Sequence, residues 1–394
     1  MTNDSHPHTH APGDIGSGSP KMKGGPSPKG TIAPKKINLA LQGGGSHGAF
    51  SWGVLDRLLE DDRIEIEAVT GASAGAMNAV VLADGLAGCC KTEARATLRA
   101  FWEGVAEAAQ SSPMRRTAVD VWRGVWNLDS SPAYLWFDLL SRVASPYDVN
   151  PFRLNPLRDL VNELVDFERV RACSTMKIFI SATNVETGHA RVFERDELTC
   201  DHVMASACLP FLYQAVEIEG HAYWDGGYMG NPPLWPLFDH CESDDVAIVQ
   251  INPISRPGVP KTAREILNRL NEITFNASLL RELRAIDFVG RLLAEGRLEG
   301  TGYRNVNVHL IGDELSLAAL GASSKLNTER AFLDLLFNKG RNAANNWLAA
   351  HFDSIGARST VDLRNIFLGE EDPLDGSRIN RRAQFQTIKP HAAE

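Results

Sequence analysis

Gly43-Gly44-Gly45-Ser46-His47-Gly48 and Gly71-Ala72-Ser73-Ala74-Gly75 are the two stretches on which the reading of this chain turns. Each lies between an apolar run that reads as a buried strand and a run with helical spacing. Ile37 to Leu41 leads into the first turn. Ala49 to Glu60, with Phe50, Val54 and Leu58 on one face, leads out of it. Ile66 to Thr70 leads into the second turn, and Ala74 to Leu86 leads out. Strand, turn and helix repeated in this way are the pattern of a parallel α/β sheet. A right-handed crossover makes the two strands parallel and adjacent, so both turns reach the same carboxyl edge.

The two turns complement each other chemically. Successive glycines let backbone approach a ligand closely, and free N–H groups at a helix N-terminus favour an anion. The second turn fits G-x-S-x-G, where the small residues Gly71 and Gly75 permit a strained bend that lifts the Ser73 hydroxyl clear of the sheet. An anion cradle beside an exposed serine is what acyl transfer requires. Gly43, Gly44, Gly45, Ser46, His47 and Gly48 are therefore the candidate oxyanion hole, and Ser73 is the candidate nucleophile. Gly43, Gly45 and Gly48 also satisfy the dinucleotide pattern G-x-G-x-x-G, but no acidic residue ends the second strand to hold a ribose. A P-loop is rejected because Ala49 stands where the lysine is required. An ordinary α/β-hydrolase places several strands before its elbow, whereas one strand separates these turns. Two tight turns without chemistry remain the plain alternative.

A serine hydroxyl needs a base. The downstream histidines, His189, His202, His221, His240, His309 and His351, sit in no turn that marks a catalytic loop. Asp225 ends the apolar run His221 to Trp224 and precedes Gly226-Gly227, which frees the chain to bend and present the carboxylate. On local evidence this is equally an ordinary Asp-Gly turn.

The three segments, Gly43 to Gly48, Gly71 to Gly75 and Asp225-Gly226-Gly227, together resemble the patatin-like phospholipase family, as does Ala205-Ser206-Ala207-Cys208-Leu209-Pro210. The resemblance covers roughly residues 36–255. It implies a three-layer fold, with a central, mainly parallel sheet flanked by helices. It implies a Ser73–Asp225 dyad in place of a triad, with the glycine turn as oxyanion hole and lipid acyl esters as substrates. His47 departs from the family, which usually has arginine or lysine there. A free aspartate, with a pKa of about 3.9, is a weak base at neutral pH, so the dyad requires Asp225 to be partly desolvated.

The rest of the chain frames these motifs. Residues 1–36 read as a disordered tail, where His6, His8 and His10 are read as idle. Residues 37–255 read as the catalytic domain, with a tryptophan-rich helical insertion at 95–150 broken by Pro132 and Pro146. Packing of Trp102, Trp122, Trp126 and Trp136 into the helical layer is the preferred reading, and a cap over the site is the other. Strands are expected at 177–183, 190–193, 216–218, 221–224, 246–251 and 306–311. Residues 256–370 read as a mostly helical extension packed on the core, with helices at 261–295 and 328–350, and 371–394 as a loose tail. The net charge of −9 argues against nucleic-acid binding. Six cysteines without C-x-x-C spacing read as reduced thiols, so a cytoplasmic location is expected, with peripheral contact to a lipid surface left open. No cofactor or metal is expected, and an oligomer is left open. A nucleotide-binding protein and an inactive lipid-binding scaffold are the alternative functions.

Overall fold

The computed structural model describes residues 33–369; the expectations for residues 1–32 and 370–394, with His6, His8 and His10, lie outside the described residues. Among the described residues eight strands form one mixed sheet: β1 (Lys35–Leu41), β2 (Ile64–Gly71), β3 (Lys177–Asn184), β4 (Ala190–Glu194), β5 (Val216–Ile218), β6 (His221–Asp225), β7 (Asp245–Val249) and β8 (Asn307–Ile311). Their order is β5-β6-β3-β2-β1-β7-β8, with β4 also paired to β3. The run from β3 to β8 through β2, β1 and β7 is parallel, β4 and β6 pair antiparallel to β3, and β5 pairs antiparallel to β6. β1 and β2 are adjacent and parallel as the crossover rule requires, with Leu41 opposite Gly71, so the two turns leave the sheet side by side.

Alternation along the strands assigns the two layers of helices. Ile37, Leu39 and Leu41 point into a core shared with Phe50, Val54 and Leu58 of α1 (Gly48–Leu59), Met77 and Val80 of α2 (Ala74–Gly88), and Leu98 and Phe101 of α3 (Lys91–Ala108). Ala40 points the other way, into a core with Ala68, Ile248 and Leu237, closed by Leu279 and Leu283 of the 32-residue helix Ala263–Ala294. The result is three layers, helices over sheet over helices, followed by a largely helical C-terminal region.

That C-terminal region is interlocked with the rest. β8 extends the sheet beside β7. The helix Arg330–His351 lies on α1, with the Phe337 ring 4.0 Å from that of Trp52. The approach is so close that a Cβ on Gly53 would strike the carbonyl of Phe337, and one on Gly340 that of Phe50.

Within 95–150, Pro132 and Pro146 begin helices rather than break one. They occupy the first turns of Pro132–Leu140 and Pro146–Val149, where the missing N–H costs nothing. The tryptophans divide. Trp102 is buried and donates Nε1–H to Asn78 at 3.0 Å, and Trp126 stacks on Phe332. Trp122 is 83% exposed and Trp136 66%, so the expectation that all four pack into the helical layer holds only for the first pair. The neighbours of Trp136 are apolar, but in this nine-residue helix only Tyr134 is buried, and Leu135, Trp136 and Leu139 stay exposed.

Candidate active site

Ser73 stands at the junction of β2 and α2 with φ 53° and ψ −120°, a backbone conformation that side-chain-bearing residues rarely adopt. Such strain costs about 1–3 kcal/mol and persists only where the surroundings over-determine it. Here Gly75 N–H donates to Ala72 O at 2.8 Å, Met77 N–H donates to Ser73 O at 3.1 Å, and Ser73 N–H donates to Ser206 Oγ at 3.0 Å. Gly71 and Gly75 pack so tightly that a Cβ on Gly71 would lie 2.6 Å from the Gly75 carbonyl carbon.

The glycine turn lies against this elbow: a Cβ on Gly43 would lie 2.7 Å from that of Ser73. Two asparagines clamp Gly43. Its N–H donates to Asn231 Oδ1 at 2.6 Å, and its carbonyl accepts from Asn252 Nδ2 at 2.7 Å. His47 N–H donates to Gly44 O at 3.2 Å, and Gly48 N–H is engaged by the carbonyls of Gly45 and Ser46. Of the six candidate positions, Gly44, Gly45 and Ser46 therefore keep N–H groups with no protein acceptor among the described residues. Gly45 sits at φ 59°, and a Cβ there would strike the carbonyl of Lys325.

Asp225 ends β6 and is 1% exposed. Its backbone is held on both sides, with N–H donating to Cys208 O at 2.8 Å and O accepting from Thr183 Oγ1 at 2.8 Å. One carboxylate oxygen accepts from Gly227 N–H at 2.7 Å, which turns the chain through Gly226 and Gly227. The other, Oδ2, makes no hydrogen bond of good geometry. The Ser73 hydroxyl is nevertheless near enough to favour the carboxylate form. Burial pushes the Asp225 pKa up to about 6, and the Gly227 N–H, Ser73 and the Lys325 charge restrain it from rising further. The desolvation that a dyad demands of its aspartate is thus present.

His47 is buried, bonds through Nε2 to Ser324 Oγ at 2.8 Å, and is held neutral, its pKa lowered to about 3 by burial and by Lys325 and Arg256. Among the described residues no histidine hydrogen-bonds to Ser73; His202 caps a helix through Thr199, and His309 pairs with Asp245 at 2.9 Å. No cluster of three or more His, Cys, Asp or Glu side chains suited to a metal occurs among the described residues. Sequence reasoning did not find three residues that brace the site, Asn231, Asn252 and Lys325, and it gave Ser206 no role beyond its place in the stretch 205–210. Asn231 and Asn252 each precede a proline just beyond a buried segment, a local signal that could have marked them as fixed polar corners.

A cavity of about 750 Å³ opens beside the site, lined by Val143, Pro146, Phe211, Trp224 and Tyr228 among others. Ser73 is not among its lining residues. The cavity adjoins the Asp225 turn through Tyr228, whose ring lies 5.1 Å from that of Phe275, the ring that meets Gly227.

A family model described as patatin-like phospholipase matches residues 39–238, about half of the chain. A search of the curated proteins finds no match. Among solved structures, VipD from Legionella pneumophila is 17% identical, with 81% of this chain covering 68% of that one at a TM-score of 0.37. The type III effector protein ExoU is 14% identical, with 81% of this chain covering 53% of that one at a TM-score of 0.31. ExoU in complex with SpcU, from Pseudomonas aeruginosa, is 16% identical, with coverages of 92% and 75% and a TM-score of 0.27.

Proposed function

Because the chain belongs to the patatin-like phospholipase family, we propose that it is a serine acyl hydrolase that cleaves carboxylic ester bonds of lipids, with Ser73 as nucleophile and Asp225 as base. One observation carries the reading. A serine in a strained elbow lies beside a buried carboxylate whose second oxygen, like the neighbouring backbone N–H groups of the glycine turn, has no hydrogen-bond partner among the described residues.

In this scheme Ser73 Oγ attacks the acyl carbonyl carbon while Asp225 Oδ2 accepts the hydroxyl proton. The negative charge that develops on the carbonyl oxygen is received by N–H groups of Gly44 and Gly45. Collapse of the tetrahedral intermediate expels the alcohol, which takes the proton from Asp225. Water then attacks the acyl-serine with Asp225 again as base, and Asp225 returns that proton to Ser73 Oγ as the fatty acid leaves. A carboxyl raised to about 6 suits this duty, since it is ionised at neutral pH yet more basic than a free aspartate.

The substrate reaches such a site from a lipid surface. Trp122, Trp136, Phe152 and Phe211 are each more than 65% exposed, and Phe211 also lines the cavity beside Asp225. Aromatic side chains favour the boundary between water and hydrocarbon. No helix among the described residues is long and apolar enough to cross a membrane, so these side chains would provide a peripheral contact. The test is release of fatty acid from phospholipid vesicles and from a monomeric ester. Both should be hydrolysed, and Ser73→Ala should abolish both. Vesicle binding without release of acid would point to an inactive scaffold.

A further inference from the structure

The C-terminal region brings a lysine to the dyad. Lys325 lies in the short turn Ala322–Leu326, between β8 and the helix Arg330–His351 and outside the segment the family model matches. We propose that Lys325 is a positioning residue of the Ser73–Asp225 pair, fixing the glycine turn through Asn252 and supplying the positive charge that faces Asp225. The proposal rests on the dyad reading above.

The geometry runs in one chain. Lys325 Nζ donates to Asn252 Oδ1 at 2.7 Å, and Asn252 Nδ2 donates to the Gly43 carbonyl at 2.7 Å. Asn252 is fully buried, so its amide has no solvent alternative. The lysine backbone takes part as well, because its carbonyl fills the space where a side chain on Gly45 would lie. Side chain and main chain of one residue thus brace both ends of Gly43-Gly44-Gly45.

The charged surroundings are specific. Asp225 faces Lys325, the Ser73 hydroxyl and the Gly227 N–H, and its own charge is felt by Tyr228 and Cys208. Lys325 faces Asp225, Glu272 of the Ala263–Ala294 helix and Arg256, and its charge reaches His47. The Phe275 ring lies 5.8 Å from Nζ on another side. Burial lowers the Lys325 pKa, while Glu272 and Asp225 oppose that. Glu272 is engaged by Arg256 at 2.6 Å and Arg269 at 3.1 Å, and the lysine charge acts on both Glu272 and Asp225.

Lys325→Met keeps the length of the stem and deletes the charge, and Lys325→Arg keeps the charge without a titration below pH 12. Pre-steady-state and steady-state rates on a neutral monomeric ester, over a range of pH, decide the matter. Lys325→Met should lower kcat by about tenfold or more with KM little changed, because the loss is one of alignment. Its kcat/KM profile should have the acid limb moved to higher pH, since a positive charge that lowers the Asp225 pKa has been removed. The parent should lose activity at alkaline pH as Lys325 deprotonates, and Lys325→Arg should restore kcat and remove that limb. A Lys325→Met enzyme with the parent kcat and both limbs in place would overturn the proposal. Should Lys325→Met fail to fold, an alkaline limb that persists in Lys325→Arg would overturn it equally. Labelling of parent Ser73 by a fluorophosphonate separates the two claims. An unlabelled Ser73 removes the dyad reading itself, whereas a labelled Ser73 with a neutral Lys325→Met removes only the role of the lysine.

Discussion

Asp225 sets the pH behaviour of the whole scheme. Its pKa is raised by burial, so the carboxylate form carries a folding cost that appears as pH climbs from the ordinary carboxylate range through about 6, and is absent below it. A rise of about two units corresponds to about 3 kcal/mol. Asp225→Asn should therefore lose turnover by orders of magnitude and yet melt higher than the parent at pH 8, with the difference gone near pH 4. Calorimetry at the two pH values checks this, and an Asp225→Asn variant that melts lower at pH 8 would contradict the assigned burial cost. Activity of the parent should rise through pH 6. At this scale the sequence was legible for Ser73, because a strained elbow has a local signature of flanking small residues. Asp225 was only half legible: an Asp-Gly-Gly turn is common, and only the family resemblance singled it out. Asn231, Asn252 and Lys325 were not legible, because each reaches Gly43 or Gly45 from far along the chain and no local pattern encodes such a meeting.

At the scale of elements, the strands and the two crossover helices could be read because their patterns are local: apolar runs on both faces of β1 and β2, and helical spacing from Phe50 to Leu58. The strands expected at 177–183, 190–193, 216–218 and 221–224 form the antiparallel pairs β3–β4 and β5–β6. What could not be read was the joint between α1 and the Arg330–His351 helix. It depends on two glycines, Gly53 and Gly340, far apart in sequence and each facing a backbone carbonyl of the opposite helix. Overpacking a close contact costs about 1–3 kcal/mol. Gly53→Ala and Gly340→Ala should each lower the free energy of unfolding, read from urea titrations, by that amount. Because both act on the same joint, the double variant should lose less than the sum. Additive losses would mean that the two helices do not share one interface.

For the whole molecule, the open question of the sequence was whether its tryptophans cap the site or pack away. Trp102 and Trp126 pack into the helical layer, and the exposed pair, Trp122 and Trp136, with Phe152 and Phe211, offers surface that a lipid boundary would cover. Fully burying a large apolar side chain stabilises by about 1.5–3 kcal/mol. Replacing Trp122, Trp136 and Phe152 with serine should weaken binding to zwitterionic vesicles by at least about tenfold. Hydrolysis of a water-soluble ester should stay at the parent rate. Equal losses on vesicles and on the soluble ester would show that the segment shapes the active site rather than a docking face.

The central claim is that Ser73 is the nucleophile and Asp225 its base. A fluorophosphonate probe followed by peptide mapping tests it directly. The account predicts a single labelled serine, Ser73, with labelling abolished in Ser73→Ala and slowed by orders of magnitude in Asp225→Asn. Labelling that survives Ser73→Ala, or that proceeds at the parent rate in Asp225→Asn, would contradict it.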